Sequence, residues 1–269
     1  QGGNKEGLIQ TLGRGGSDLS AIAFASSVGA DLCQILTDVD GVYSADPRIV
    51  PDARKLPEIS YDELLELASV GTKVMQSRSV EFAKKYAVKF EVRSSLNNKP
   101  GTIVTQEHEA MEAVVIRGVS IERSQARVTI TGIPDEPGMS GRILGVLGDD
   151  EINIDMIVSN IAHDGYARHS FTMHTNDLGR AQAALKPVLS ELGGDANLET
   201  EAGIAKLSVV GIGMRSHSGV AAQMFKALGE GGINIGMIST SEIKISVAVN
   251  PDDGEMATRV AHAAFGLGK

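Results

Sequence analysis

Asn153-Ile154-Asp155-Met156-Ile157 returns 81 residues later as Asn234-Ile235-Gly236-Met237-Ile238. Extended outward, Val128–Ile157 and Val209–Ile238 agree without a gap at ten of 30 positions, with glycines in step at 132/213, 138/219 and 148/229. A repeat of this length is one supersecondary unit used twice. Each copy reads as a strand (Arg127–Gly132, Lys206–Gly211) and a glycine-opened helix (Gly138–Leu147, Gly219–Leu228). A tight turn leads to a second strand (Asn153–Ser159, Asn234–Thr240), a third (Arg168–His174, Lys244–Val249) and a closing helix (Asp177–Leu192, Asp252–Phe265). The pattern is βαββα.

The two copies end differently. The first runs on through Gly193-Gly194 into Asn197–Glu201, a fourth strand that makes βαββαβ. The second reaches Lys269 directly after its helix. The apolar run Ala113-Val114-Val115-Ile116 precedes the first copy and has no other assignment. It is expected to supply the missing strand, because a sheet lacking one strand leaves its neighbour's backbone groups unpaired. The second module would then take residues 113–121 plus 206–269 and enclose the first, 126–202. If two such sheets join edge to edge, the equivalent edges at Asn153 and Asn234 form a shared pocket, and a homodimer is the natural assembly.

Upstream, to about Ile103, strand and helix patterns alternate. Leu8–Leu12 is strand-like and ends in Gly13-Arg14-Gly15-Gly16; Ser17 is placed to cap a helix that Gly29 closes. Leu32–Thr37 reads as a buried strand. Asp38–Pro57, with Pro47, Pro51 and Pro57, reads as a long loop. Ser60 and Glu63 form a capping box for a helix over Tyr61–Ser69, and a second helix is expected over Lys73–Ala87. Phe90–Val92 and Thr102–Val104 read as strands, and Gln106–Glu112 as a linker. Such alternation implies a mostly parallel sheet covered on both faces.

Composition narrows the function. The 269 residues carry 25 Lys+Arg against 34 Asp+Glu, net −9, which disfavours nucleic-acid or acidic-membrane binding through clustered positive charge. One cysteine, Cys33, excludes an intrachain disulfide and the zinc motifs built on paired cysteines. No apolar run of membrane-spanning length occurs. The six histidines show no metal-ligand spacing, and Met139, Met156, Met224 and Met237 fall at core-facing positions.

Gly13-Arg14-Gly15-Gly16-Ser17-Asp18 is neither a phosphate-binding Gly-Lys-Ser/Thr loop nor a dinucleotide fingerprint. Placed between a strand and a helix, its backbone amides can still meet an anion, and Arg14 can hold a carboxylate in two-pronged fashion. Thr37-Asp38 ends a strand, where open α/β sheets bind ligands.

This loop, followed by Thr37-Asp38-Val39-Asp40-Gly41-Val42-Tyr43, Ala45-Asp46-Pro47-Arg48 and Gly71-Thr72-Lys73-Val74, closely resembles the aspartate kinase family. The repeats resemble its paired ACT domains at Asn153-Ile154-Asp155-Met156, Asn234-Ile235 and Ser239-Thr240-Ser241-Glu242-Ile243. The resemblance implies an α/β fold: part of a three-layer αβα amino-acid kinase domain (1–105) followed by two α+β ferredoxin-like βαββαβ ACT domains.

By the same resemblance, Arg14, Gly15, Gly16, Ser17 and Asp18 meet the substrate L-aspartate. Thr37, Asp38, Tyr43, Ser44, Ala45, Asp46, Pro47, Arg48 and Lys73 meet ATP, with Mg²⁺ brought by the nucleotide and no resident metal. Asn153, Ile154, Asp155, Ser159, Val220, Ala221, Asn234, Ile235, Ser241 and Glu242 meet an amino-acid effector, lysine and/or threonine. Asp155 is expected to pair with the effector's ammonium or side-chain cation; Gly236 stands at the matching position of the second copy, so the modules need not bind alike.

The implied protein is a cytoplasmic, feedback-regulated enzyme, at least dimeric through its ACT domains. It transfers the γ-phosphoryl group of ATP to the side-chain carboxylate of aspartate, toward lysine, threonine and methionine. The family's Lys-Phe-Gly-Gly-Thr-Ser-type motif is absent from this sequence, and the expectation is a fragment, inactive alone. Met75-Gln76-Ser77-Arg78 stands where many members have Leu-His-Pro-Arg. Two rivals stay open: a regulatory subunit that only senses amino acids, and an amino-acid kinase acting on glutamate or carbamate, which the tandem ACT repeat disfavours.

Overall fold

The computed structural model describes residues 2–13, 15–69, 75–161, 165–192 and 196–268. The first unit runs β1 (Gly2–Gly3), β2 (Ile9–Gln10), α1 (Gly16–Val28), β3 (Cys33–Thr37), β4 (Glu58–Ser60), α2 (Tyr61–Ser69), α3 (Ser77–Lys85), β5 (Phe90–Ser94), β6 (Thr102–Thr105) and α4 (Glu109–Glu112). The strand expected at Leu8–Leu12 is a two-residue arm of an exposed hairpin, β1–β2, outside the main sheet.

The main sheet has the order β3-β5-β6-β4. It is mixed, which corrects the mostly parallel expectation: β3 and β5 are parallel, β4 and β6 are parallel, and β5 meets β6 antiparallel. The cause is the short turn after Ser94, which can join only antiparallel neighbours. Cys33, Ile35, Phe90, Val92, Val104 and Ile59 share one face and bury it against Ile22 and Ala25 of α1, Leu64 and Leu67 of α2, and Val80 and Ala83 of α3. The opposite face presents Gln34, Glu91 and an exposed Leu36.

The second region adds β7 (Gly118–Pro134), α5 (Met139–Asp149), β8 (Ile154–Ile161), β9 (Tyr166–His174), α6 (Leu178–Leu192), β10 (Asn197–Val210), α7 (Val220–Glu230), β11 (Met237–Thr240), β12 (Lys244–Val249) and α8 (Gly254–Ala264). Gly138 (φ 94°) and Gly219 (φ 86°) cap α5 and α7 in the left-handed region, which explains why the repeat keeps glycine at both places. The strands form one six-stranded ribbon, β11-β12-β10-β7-β9-β8.

β7 and β10 each serve both modules. Arg127–Thr131 of β7 pairs with Asn197–Glu201 of β10 in the first; Gly118–Glu122 pairs with Lys206–Val210 in the second, next to β12. The enclosing strand is therefore Gly118–Glu122. The expectation at Val114–Ile116 was four residues early: that run is a bend after α4, with Ile116 buried, and Arg117 N–H already reaches the Val210 carbonyl at 2.8 Å. Its apolar character comes from packing under the second module.

Alternation along these strands sorts their faces. Leu207, Val209, Ile245 and Val247 pack on Met224, Leu228 and Ala261; Val128, Ile130, Phe171 and Met173 pack on Ile143, Leu147, Ala181 and Leu185. Lys206 and Ser208, and Arg127 and Thr129, fall on the faces away from the helices. Those two helix-free faces close on each other where the ladder shifts register between Ala202 and Lys206. Met156 of β8, Ile204, Met237 of β11 and Ala248 meet there.

The two regions are locked together. The capping box forms: Ser60 N–H donates to Glu63 Oε2 (3.1 Å) and Glu63 N–H to Ser60 Oγ (3.2 Å). Glu63 is fully buried, and its other oxygen accepts the Ile212 N–H at 3.1 Å and lies 3.6 Å from Arg117 Nε. Lys244 of β12 pairs with Glu66 of α2 at 2.6 Å. The expected linker is thus structured, its Met111 buried with Ile212 and Ile243.

Candidate functional site

The glycine loop opens α1 by backbone geometry alone. Gly15 occupies the cap position at φ 70° and no side chain caps the helix; Ser17, expected as the cap, lies inside the first turn with its hydroxyl 3.4 Å from Asp18 Oδ1. Gly16 N–H closes the preceding turn on Gly13 O at 3.1 Å. First-turn amides without side-chain acceptors, at the positive end of a helix, are suited to a carboxylate.

The start of α3 supports the loop from below. Arg78 donates to Leu12 O at 2.6 Å, Ser79 Oγ to Gly15 O at 3.4 Å, and Gln76 packs so closely on Gly15 that a side chain there has no room. Gln76 and Arg78 were not among the expected site residues. The signal for them was the departing motif Met75-Gln76-Ser77-Arg78. The helix expected from Lys73 begins only at Ser77, and Arg14 and Lys73 lie outside the described residues.

Thr37 and Asp38 stand at the carboxyl edge of β3, beside Ser94 in parallel register. Thr37 O accepts from Ser95 N–H (2.8 Å) and Ser95 Oγ (3.1 Å), and Asp40 accepts from Asn97 Nδ2 at 2.8 Å. The neck of the following loop is tied through buried Thr102, whose hydroxyl takes the Val42 N–H (2.9 Å) and donates to Leu56 O (2.6 Å).

Asp46 and Arg48 form a two-pronged pair (2.7–3.2 Å), the guanidinium standing 90% exposed. Hydrogen bonding to Arg48 holds the Asp46 carboxyl below its ordinary value. Burial, then the nearby Asp40 charge, raises the Tyr43 phenol. Pro47 is exposed, whereas Ser44 is buried against His262 of the second module and Ala45 is buried against Val50 and Ala53 of its own loop. Burial alone would raise Glu91. The Gly101 N–H and the Gln34 amide, with Arg93 and Lys55 near, outweigh it and hold Glu91 low.

The expected effector residues do not converge within one chain. Val220 and Ala221 begin α7, whereas Asn234 and Ile235 follow its far end. Eleven residues at 1.5 Å each separate the two groups by roughly 16 Å. Ser241 and Glu242 return to the first end, where Glu242 lies 3.4 Å from Arg215. In the first module, Asn153 is exposed, Ile154 is half-buried on the core and Ser159 is at the other end of β8. Asp155 pairs with the ammonium of Lys206, a buried lysine of the second module that also meets Glu122 at 3.2 Å. At the matching place Gly236 offers only its carbonyl, which accepts from Arg127 Nη1 at 3.1 Å.

Cys33 is a buried free thiol, its pKa raised by burial. No group of three or more metal-ligating side chains occurs among the described residues, and no helix among them is long and apolar enough to cross a membrane.

Comparison with known proteins bears on this arrangement. The amino acid kinase family model matches residues 1–94, and ACT domain models match 126–192 and 207–265. The Pseudomonas putida aspartate kinase is 50% identical over 99% of this chain, which spans 65% of that protein's length. Escherichia coli aspartokinase III, solved with aspartate and ADP, superposes with a TM-score of 0.79 at 27% identity, covering 98% of this chain and 58% of that one. Its complex with lysine and aspartate gives 0.75 at 28%, with the same coverage. The regulatory subunit of aspartate kinase from Thermus flavus is 37% identical, with a TM-score of 0.53, over 56% of this chain and 99% of its own. A unit matched by the amino acid kinase model followed by two interleaved ACT modules, with 98–99% of the chain aligned to the P. putida and E. coli enzymes, places the chain in the aspartate kinase family.

Proposed function

We propose that this chain works within a feedback-regulated aspartate kinase, in which the γ-phosphoryl group of ATP passes to the side-chain carboxylate of L-aspartate, giving an acyl phosphate and ADP. One observation carries the reading: two potential ligand edges, the α1 amino terminus and the carboxyl edge of β3, belong to one small α/β unit whose loop is clamped by an ACT module. The aspartate and ADP held by the E. coli enzyme support the substrates.

The α1 amides and Arg14 would receive the aspartate. Thr37, Asp38, Tyr43 and the Asp46–Arg48 segment would line the nucleotide. Phosphoryl transfer depends on positioning and on neutralising charge on the moving group. Arg48 and Lys73 suit that, with Mg²⁺ entering on the nucleotide.

The ACT pair would bind lysine and/or threonine as inhibitor, as the lysine complex of the E. coli enzyme suggests. Because no single chain gathers the effector residues, the pocket would be completed by a second copy. A purely sensing regulatory subunit is the second reading; the T. flavus subunit corresponds to 56% of this chain, which leaves a kinase unit unexplained.

The test is ADP release with ATP, Mg²⁺ and L-aspartate. The 269-residue chain alone should be inactive; the same chain joined to the preceding segment of its relatives should turn over. In that longer protein Lys73→Ala should lower kcat by roughly tenfold or more with an unchanged melting curve. Activity absent from the longer protein, with amino-acid binding intact, would establish the sensing subunit instead.

A further inference from the structure

The middle of the loop between β3 and β4 is pinned by the end of the second ACT module. Ser44 Oγ accepts the Arg54 N–H at 3.0 Å, lies 2.9 Å from His262 Nε2 of α8 and lies 3.3 Å from the Leu267 carbonyl. Ser44 is fully buried and His262 is 1% exposed. Three further links surround the contact. Val119 N–H donates to Ser44 O (2.7 Å), Arg259 Nε to Ile49 O (2.9 Å), and Ala53 bridges to Gly268.

A hydroxyl has one proton to donate. Either it goes to His262 Nε2, or it goes to Leu267 O while His262 Nε2–H donates to Ser44 Oγ. In both tautomers the imidazole fixes the Ser44 rotamer. Removing it takes away the shortest partner of the hydroxyl on the α8 side and leaves only the Leu267 carbonyl, at 3.3 Å, to orient its proton. Burial lowers the His262 pKa, so the ring stays neutral near pH 7. Asp52 and Arg54, both on the loop, are the charged groups that bear on it.

We infer that His262 is a positioning residue for the nucleotide: through Ser44 it holds Tyr43 on one side and Asp46–Arg48 on the other in their binding arrangement. The inference rests on the kinase reading above. It makes α8 a part of the nucleotide site without touching the nucleotide.

The experiment uses the full-length enzyme. His262→Phe keeps the volume and removes the partner; His262→Gln keeps a neutral polar group; Ser44→Ala removes the anchor from the loop side. His262→Phe and Ser44→Ala should each raise KM for ATP roughly three- to tenfold, the worth of one neutral hydrogen bond, with KM for aspartate within twofold. His262→Gln should recover most of that loss. Amide exchange should show Arg54, Leu56 and Val119 losing protection in His262→Phe while β9 keeps its own.

An unchanged KM for ATP in both Ser44→Ala and His262→Phe overturns the inference, even if loop protection falls, since His262 would then be structural only. An equal rise in both KM values overturns it too. If His262→Phe fails to fold, Ser44→Ala decides by the same criterion. A wild-type enzyme that does not phosphorylate aspartate defeats the kinase reading and is seen before any variant is made.

Discussion

In the second ACT module the closing helix, α8, ends against the loop expected to hold the nucleotide; in the first, the equivalent helix, α6, packs chiefly on α5, β7 and β10 of its own module. The same repeat has therefore been given two mechanical positions. A change in the second module reaches the kinase unit through His262, Glu63 and Lys244. The first meets the second through β7 and β10, the strands the modules share, and through the Asp155–Lys206 and Met156–Met237 contacts. The charges agree with this division. Asp155 of the first module reaches Lys206 of the second, whereas Gly236 of the second can answer only with a carbonyl. The groups the two modules offer each other are thus unequal.

The largest expected effect is at the docking face. Glu63→Ala removes the cap of α2, the acceptor for Ile212 and the charge beside buried Arg117, and should cost about 3–5 kcal/mol, read as a lower Tm. Glu63→Leu with Arg117→Met should regain much of it. A wild-type melting curve for Glu63→Ala would remove this joint from the comparison.

Next come Leu147→Ala and Leu228→Ala, at equivalent places in the repeat and both fully buried. Each should cost about 2–4 kcal/mol. Because the ladders are shared, both should lower protection in both modules, but only Leu228→Ala should also loosen the amides of residues 43–56. Equal loosening by both would mean the modules are mechanically equivalent.

Asp155→Ala should cost about 1–2 kcal/mol, since Glu122 remains with Lys206. With lysine or threonine as the proposed effector, it should also shrink the thermal shift that the amino acid produces. A shift of undiminished size would show that Asp155 serves the Lys206 contact alone.

The smallest effect is a pH dependence. His262 and His169, one in each module, have pKa values pushed down by burial from an ordinary 6.5. The unfolded chain therefore takes up the protons first. Stability should be full above about pH 6.5 and fall as pH drops from there toward the folded values, by at most about 1.4 kcal/mol per pH unit per histidine. Replacing either residue by Gln should flatten that slope. Denaturant titrations between pH 7.5 and 5.5 give the answer, and an unaltered slope in both variants would assign the dependence elsewhere.

What could be read in the sequence was whatever has a local cause. The repeat placed α5, α7 and their glycine caps, and Ser60 with Glu63 announced a capping box that forms. Strand ownership was half legible. The count of strands required the second module to borrow one, but Val114–Ile116 and Gly118–Glu122 are both apolar enough, and only the ladder with Lys206–Val210 decides between them. The short turn between β5 and β6 already marked an antiparallel pair, whereas β4, three residues long, left no readable pattern.

Among the site residues, backbone roles were legible and side-chain roles were not. Ser44 looked like a loop residue on the nucleotide side. Its burial depends on His262, 218 positions later, whose only local mark is a place on the buried stripe of α8 with Thr258. Arg78 was visible in the motif, but nothing local said it would hold Leu12.

The crossing of β7 and β10 makes the second module a circular permutant of the first. Its fourth strand comes first in the chain, and Gly118–Glu122 lies antiparallel to Lys206–Val210, as the arms of a hairpin would. The whole first module occupies the place of that hairpin's turn. In topological terms it is an insertion at a loop tip, the kind of site where chains most readily accept extra domains. A short turn in its place would leave the second module with every strand it needs, and the first module, contiguous from Arg127 to Glu201, likewise keeps its own four strands without the second. The asymmetry lies in the covalent plan alone: the first module is continuous in sequence, and the second is split around it.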